Sequence, residues 1–232
     1  MADSPVKGII FDLDGTLYRM RRYLRPLIAL GVFPQVRRLI AFMAVRQTFA
    51  GRHFGSRQEL MQSIADGMAA ELHTPSTVIA DWIETSFNRA FIGSMRFFRN
   101  SRYNANGLMD EMHRRSIRLA VLSDYGRVAE RLDRLKIKRT PFDILASCED
   151  SGALKPHPLA YEKIAAQWTI APQNMLVIGD RIDTDGAAAH AAGMAFWQVI
   201  DTKKQLNGPV DKYVPAKRLF WHEIVARLSA LQ

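Results

Sequence analysis

Five short apolar runs restrict this chain to one broad architecture: Val6–Phe11, Ile117–Leu122, Phe142–Ala146, Met175–Ile178 and Ala195–Ile200. Each is rich in Ile, Val, Leu or Phe, with little polar residue on either parity of position. A strand wetted on one face would alternate apolar with polar. These runs therefore read as parallel strands covered by helices on both faces. Between them, Gly126–Leu135, Pro158–Gln167 and Gly186–Ala192 read as helices. Strand alternating with helix is the pattern of an α/β, doubly wound parallel sheet.

The first two runs are about 100 residues apart, whereas a crossover needs a few dozen, so something is inserted after Gly15–Leu17. Val36, Leu39, Ile40 and Met43 recur with helical spacing, and Leu60, Ile64 and Met68 follow a similar period. Thr74-Pro75-Ser76 looks like a helix start leading into Val78–Phe91. The expected organisation is a discontinuous core, residues 1–17 and 101–232, interrupted by an all-helical cap, residues 18–100.

Composition narrows the function classes. At 48% apolar and 24% charged, the 232 residues can build a globular core. The single cysteine, Cys148, cannot form an internal disulfide or a zinc site alone, and it reads as a small core residue. The opening MADSPVKG lacks a secretion pattern, and no apolar stretch approaches the ~20 residues that span a bilayer. A soluble protein of the reducing cytoplasm is expected. The net charge of +9 is local: residues 18–100 hold twelve Arg, no Lys and five acids, giving 12 − 5 = +7 and leaving +2 elsewhere. No acid lies between Asp14 and Glu59. Such a stretch suits an anionic substrate, an anionic membrane surface or a solvated helix face. No nucleic-acid partner is expected, because net charge is its only support. The six histidines show no metal-ligand spacing, and no phosphate-loop, dinucleotide or Ser-elbow motif is present.

Asp12-Leu-Asp14-Gly15-Thr16 ends the first run. Ligands of open α/β sheets bind at the carboxyl ends of strands, which places both aspartates at the expected site. Two carboxylates so close repel unless a cation or shared proton intervenes. A chance match to this pattern is roughly a one-in-a-thousand event, which disfavours a mere turn cap. Ser123-Asp124 closes the second run and offers a hydroxyl and amides to an anion. Lys155 lies in Gly-Ala-Leu-Lys-Pro-His-Pro, and Asp180, Asp183 and Asp185 follow the fourth run. Singly, Ser123 and Lys155 resemble a cap and a surface charge. In this order, each beside a strand end, the four segments are specific.

These motifs resemble the haloacid dehalogenase (HAD) superfamily, phosphoglycolate-phosphatase-like hydrolases with a helical cap being the nearest comparison. The resemblance covers Val6–Thr16 and about Met112–Ile200. It implies a Rossmann-like core and a magnesium-dependent phosphatase acting on a small phosphorylated metabolite through an aspartyl-phosphate. By the same resemblance Asp12 is the nucleophile and a Mg²⁺ ligand. Asp14 is the general acid and base, its backbone carbonyl on the metal, and Lys155 neutralises charge. Thr16 orients the first loop, Ser123 binds the phosphoryl group with Asp124 beside it, and Asp180 completes the metal site. Asp185 fits the second acid of the last motif better than Asp183. Arg19, Arg21 and Arg22 are the insert residues nearest the first motif and the candidates for substrate contact. The carbon–halogen-cleaving relatives lack the second aspartate, and the phosphonate-cleaving branch needs a cap lysine that residues 18–100 do not contain. A sugar-phosphate mutase, or a docking protein using the Arg-rich cap on an anionic surface, are the alternatives.

Overall fold

The computed structural model describes residues 5–20, 22–98, 102–206 and 214–231. Six parallel strands, β1 (Gly8–Phe11), β2 (Arg118–Ser123), β3 (Ile144–Ser147), β4 (Met175–Gly179), β5 (Ala195–Ile200) and β6 (Lys217–Phe220), form one sheet in the order β3-β2-β1-β4-β5-β6. Within the insert, between β1 and β2, run five α-helices among the described residues: α1 (Leu24–Gly31), α2 (Val36–Thr48), α3 (Arg57–Leu72), α4 (Ser76–Trp82) and α5 (Asn88–Ser94), the last two joined by a π-helical turn. The remaining helices are α6 (Ala105–Arg114), α7 (Val128–Leu135), α8 (Leu159–Trp168), α9 (Ala187–Ala191), α10 (Lys203–Leu206) and α11 (Trp221–Ser229).

Burial along the strands follows from their position. Every residue of β1 and β4, at the centre, is buried. The edge strands β3 and β6 are mostly half-covered. Ile9, Phe11, Leu119, Val121, Leu176 and Ile178 face one layer, with Met109 and Met112 of α6, Leu132 and Leu135 of α7, and Ile224 and Leu228 of α11. Ile10, Ala120, Leu122, Met175 and Val177 face the other, against α8 and α9. This is the period-two alternation of a sheet covered on both sides.

The first of these layers continues into the insert through Leu13, Leu17 and Tyr18 to Ile28, Phe42, Ile64, Met68, Trp82 and Phe87. The insert and the sheet thus share one cluster of buried apolar side chains, and each buried side chain of this size contributes about 1.5–3 kcal/mol.

The structure departs from the sequence reading in three places. On α2 the buried stripe is Leu39, Phe42, Val45 and Arg46, while Ile40 is 62% exposed. β3 begins at Ile144 rather than Phe142, and β6 has no counterpart among the five apolar runs. Cys148 is free and buried.

Candidate active site

Strand order reverses between β1 and β4, the switch point outside whose carboxyl ends ligands of open α/β sheets bind. Phe11 and Ile178 are paired, and the Asp12 amide donates to the Ile178 carbonyl at 2.9 Å. Asp12 and Asp180 thus leave neighbouring strands at nearly the same level. The turn between them needs a glycine. Gly15 has φ +90°, and a Cβ there would lie 2.2 Å from Asp180 Oδ2.

Asp185 reaches the site from Ile182–Gly186, a π-helical turn following β4. Residues two apart on a helical turn point roughly opposite ways. Asp185 accordingly turns inward and is buried, whereas Asp183 turns outward and pairs with Arg181. Asp12, Asp180 and Asp185 each present an oxygen within 4.8 Å of the other two.

Lys155, 3% exposed, enters this group from the loop before α8. Its Nζ donates to Asp12 Oδ1 at 2.8 Å and to the Leu122 carbonyl at 3.0 Å, and lies 2.7 Å from Asp185 Oδ1. Thr16 Oγ1 donates to the other Asp12 oxygen at 2.9 Å, and the Tyr161 hydroxyl donates to Asp185 Oδ1 at 3.3 Å. With all three acids ionised, the cluster carries −3 + 1 = −2. Burial pushes the Asp12 carboxyl well above the usual range; Lys155 opposes this, and Asp185, Asp180 and Asp14 add to it. Asp180 is pushed up to about 7, first by burial and then by Asp185. An all-oxygen donor set with unneutralised negative charge fits a hard divalent cation.

Asp14 has the opposite surroundings. Arg131 of α7, fully buried, donates from Nη2 to both Asp14 oxygens. The Tyr18 hydroxyl donates to Oδ1 at 2.6 Å and Ser123 Oγ to Oδ2 at 3.0 Å. Burial works against the charged form, but the Arg131 charge and these hydrogen bonds outweigh it and hold the Asp14 carboxyl below its ordinary range. Arg131 also donates to Ser123 Oγ at 2.9 Å, and its guanidinium lies 4.4 Å from the Phe91 ring centroid of α5.

Several residues expected at the substrate are engaged by other site residues. Thr16 is spent on Asp12, and Ser123 on Asp14. Asp124 holds the Lys155 loop, its Oδ1 accepting from the Lys155 amide at 3.0 Å. The Asp14 carboxylate stands outside the three-acid cluster expected to include that residue's backbone. Arg19 is exposed and bonds Asp201, Arg22 is exposed, and Arg21 lies outside the described residues. Sequence reasoning missed Arg131 and Arg46. Arg46 of α2 is buried, ion-paired with Glu149 at 2.5 Å, and donates to the Asp124 carbonyl at 2.8 Å. A signal existed for both: each arginine occupies an apolar-face position, Arg131 with Val128, Leu132 and Leu135, and Arg46 with Leu39 and Phe42. Arg102, which donates to the Gly15 and Thr16 carbonyls at 2.6 and 2.9 Å, carried no such signal.

The family model for haloacid dehalogenase-like hydrolases matches residues 6–193. A curated relative, haloacid dehalogenase-like hydrolase domain-containing protein 3 of Xenopus laevis, is 29% identical over 90 residues. That match spans 39% of this chain and only 37% of the relative. Among solved structures, the 2-haloacid dehalogenase of Pseudomonas syringae pv. Tomato superposes with a TM-score of 0.65 at 17% identity, covering 97% of this chain and 98% of that one. A predicted phosphoglycolate phosphatase of Haemophilus somnus superposes with a TM-score of 0.53 at 19% identity, covering 96% of this chain and 91% of that one. A 2-haloacid dehalogenase and a predicted phosphoglycolate phosphatase share this backbone, so the fold alone does not select the bond that is broken.

Proposed function

This chain belongs to the haloacid dehalogenase-like hydrolase family, and from that premise we propose that it is a magnesium-dependent phosphatase that hydrolyses a small phosphorylated metabolite through an aspartyl-phosphate. The observation that carries the reading is the convergence of Asp12, Asp180 and Asp185 on one point with Lys155 between them. Residues 18–100 act in this reading as the cap over that point.

Asp12 is the attacking group. Thr16 and Lys155 each hold one of its oxygens, fixing the plane of the carboxylate. An Asp12 oxygen forms a bond to phosphorus while the ester oxygen departs with the P–O electron pair. Asp12, Asp180 and Asp185 would hold Mg²⁺, which when bound supplies positive charge against the phosphoryl oxygens. Lys155 adds a second cation on the Asp12 side. Water then attacks the phosphorus of the acyl phosphate, releasing phosphate and restoring Asp12.

Asp14 carries the protons, giving one to the departing oxygen and taking one from the attacking water. Held by Arg131, Tyr18 and Ser123 it is a carboxylate, the form the second step requires. Donating in the first step requires Asp14 to be loaded with a proton away from Arg131. Asp12 is 6% and Ser123 0% exposed, so access of a substrate to them requires the surrounding residues to shift.

The test is release of inorganic phosphate from p-nitrophenyl phosphate and a panel of phosphorylated metabolites, with Mg²⁺ or with chelator. Phosphate release that needs Mg²⁺ and disappears in Asp12→Asn is the expected result. Isomerised sugar phosphate without net phosphate release would assign a mutase instead. Halide release from a 2-haloacid would assign a dehalogenase.

A further inference from the structure

We propose that the α1–α2 hairpin of the insert is a docking surface for an anionic lipid bilayer. The inference is independent of the reaction assigned above. It begins with the three most exposed large apolar side chains of the insert. Leu30 and Phe33 are each 75% exposed and Ile40 is 62% exposed, three large apolar side chains within residues 30–40. The other exposed large apolar residues of the insert, Met20, Tyr23, Val78 and Phe97, are only 43–49% exposed, and Ile28, Leu39 and Phe42 on the inner faces of these same two helices are buried.

The turn that presents them is well held. Val32 is buried, its amide donates to the Ile28 carbonyl at 3.0 Å, and the Gln35 amide donates to the Val32 carbonyl at 2.8 Å. Leu30 and Phe33 therefore project from a fixed corner instead of folding back onto the protein. Exposed apolar side chains on a helical hairpin without acids suit the boundary of an anionic bilayer.

Charge supplies the second observation. Arg25 and Arg37 are exposed and Arg38 half-exposed, and none of the three pairs with a carboxylate among the described residues. The acid-free stretch from Gly15 to Gln58 puts no carboxylate on either helix. Arg37 and Ile40, three apart on α2, share one face, so a cation and an apolar side chain point the same way. Single exposed apolar residues need no explanation. Three of them on a two-helix hairpin that also carries three exposed or half-exposed arginines and no acid have the composition of an interfacial anchor. No helix of the described residues is long and apolar enough to cross a membrane, so any such attachment would be peripheral.

The test is cosedimentation of the full chain with vesicles of phosphatidylcholine alone and with about 30% phosphatidylserine, at low and high salt. Binding is expected only with phosphatidylserine and is expected to weaken with salt. Leu30→Ser/Phe33→Ser should abolish it, and each of Arg25→Gln, Arg37→Gln and Arg38→Gln should weaken it about fivefold. Hydrolysis of soluble p-nitrophenyl phosphate, if the wild type shows it, should be unchanged by Leu30→Ser/Phe33→Ser. That result would separate loss of docking from loss of fold. No sedimentation with phosphatidylserine, or sedimentation that these variants leave intact, overturns the proposal. So does a wild-type dimer that Leu30→Ser/Phe33→Ser converts to monomer, which would assign the hairpin to a second copy of the chain.

Discussion

Asp12 and Asp14 are two residues apart, leave the same strand, and are placed in opposite electrostatic environments. Asp12 faces two further carboxylates with one lysine among them, and its carboxyl is pushed up by burial. Asp14 faces a buried guanidinium and two hydroxyls, and its carboxyl is pulled below the ordinary range. One pocket is short of positive charge; the other is neutralised by the protein itself. Chemistry that needs two carboxylates in different states is served by such a separation, because neighbouring identical groups would otherwise compete for one proton. It also says where an external cation belongs: beside Asp12, Asp180 and Asp185.

The most severe break of this contrast is at the two aspartates themselves. Asp12→Asn should abolish turnover of every phosphate ester, a loss of more than about a thousandfold. Asp14→Asn should lose about 10²–10⁴-fold in steady state. With p-nitrophenyl phosphate, whose leaving group needs no proton, it should still show a rapid burst of nitrophenol before that slow turnover. Stopped-flow absorbance separates the two. A burst in Asp12→Asn and none in Asp14→Asn would reverse the assignment.

Next in size is the guanidinium. Arg131→Met leaves the Asp14 carboxylate with hydroxyl partners only, and breaking a buried pair from one side costs about 3–5 kcal/mol. Urea unfolding at neutral pH measures it, and Asp14→Asn in the Arg131→Met background should recover part of the loss, since no charge is then stranded. The sign with pH follows from the lowered carboxyl. Its contribution is present above the unfolded value of 3.8 and is lost as pH falls through the folded value. Wild type and Arg131→Met should therefore converge in strongly acid solution. A loss below about 1 kcal/mol at neutral pH would mean that Asp14 is not held by Arg131.

That clamp also marks the limit of what a single sequence discloses. The central strands were legible because β1 and β4 are buried on both faces and so carry unbroken apolar runs. β6 was not, because Lys217-Arg-Leu-Phe220 at the sheet edge supplies few apolar residues, and its basic side chains suit an exposed edge. Asp12, Asp180 and Asp185 could be picked out because each follows a strand end. Their grouping, without Asp183, depends on the turn after β4. The partners of Ser123 and Thr16 were not legible: a hydroxyl serves whichever carboxylate the fold brings near, and here those are Asp14 and Asp12 rather than a ligand. Arg46 and Arg131 were readable only as cations on apolar helix faces. Their partners Glu149 and Asp14 lie 103 and 117 residues away in the chain.

A smaller effect belongs to Tyr18. Its hydroxyl donates to Asp14 at 2.6 Å, but Arg131 and Ser123 remain when it is removed. Tyr18→Phe should cost about 1.5–3 kcal/mol, the range for a hydrogen bond to a charged group, and less than Arg131→Met in the same urea titration. A Tyr18→Phe loss equal to that of Arg131→Met would mean that the phenol, not the guanidinium, keeps Asp14 in place.

The gentlest perturbation tests the other pocket without a substitution. In the metal-free protein Asp180 has its carboxyl pushed from 3.8 to about 7. It therefore holds a proton in the folded state at pH values where the unfolded chain has lost it. Its raised value stabilises the fold below 3.8, and that contribution disappears as pH rises toward 7. A cation taking the same oxygens must displace the proton, so Mg²⁺ affinity should rise with pH, by up to about tenfold per unit below 7, and level off above it. Calorimetry in buffers of different ionisation enthalpy should find more proton release per Mg²⁺ near pH 6 than near pH 8. Asp14, already an ion paired with Arg131, contributes no proton in this range. An affinity independent of pH would remove the distinction between the two carboxylate pockets, because a cluster already neutralised by Lys155 holds no proton for a metal to expel.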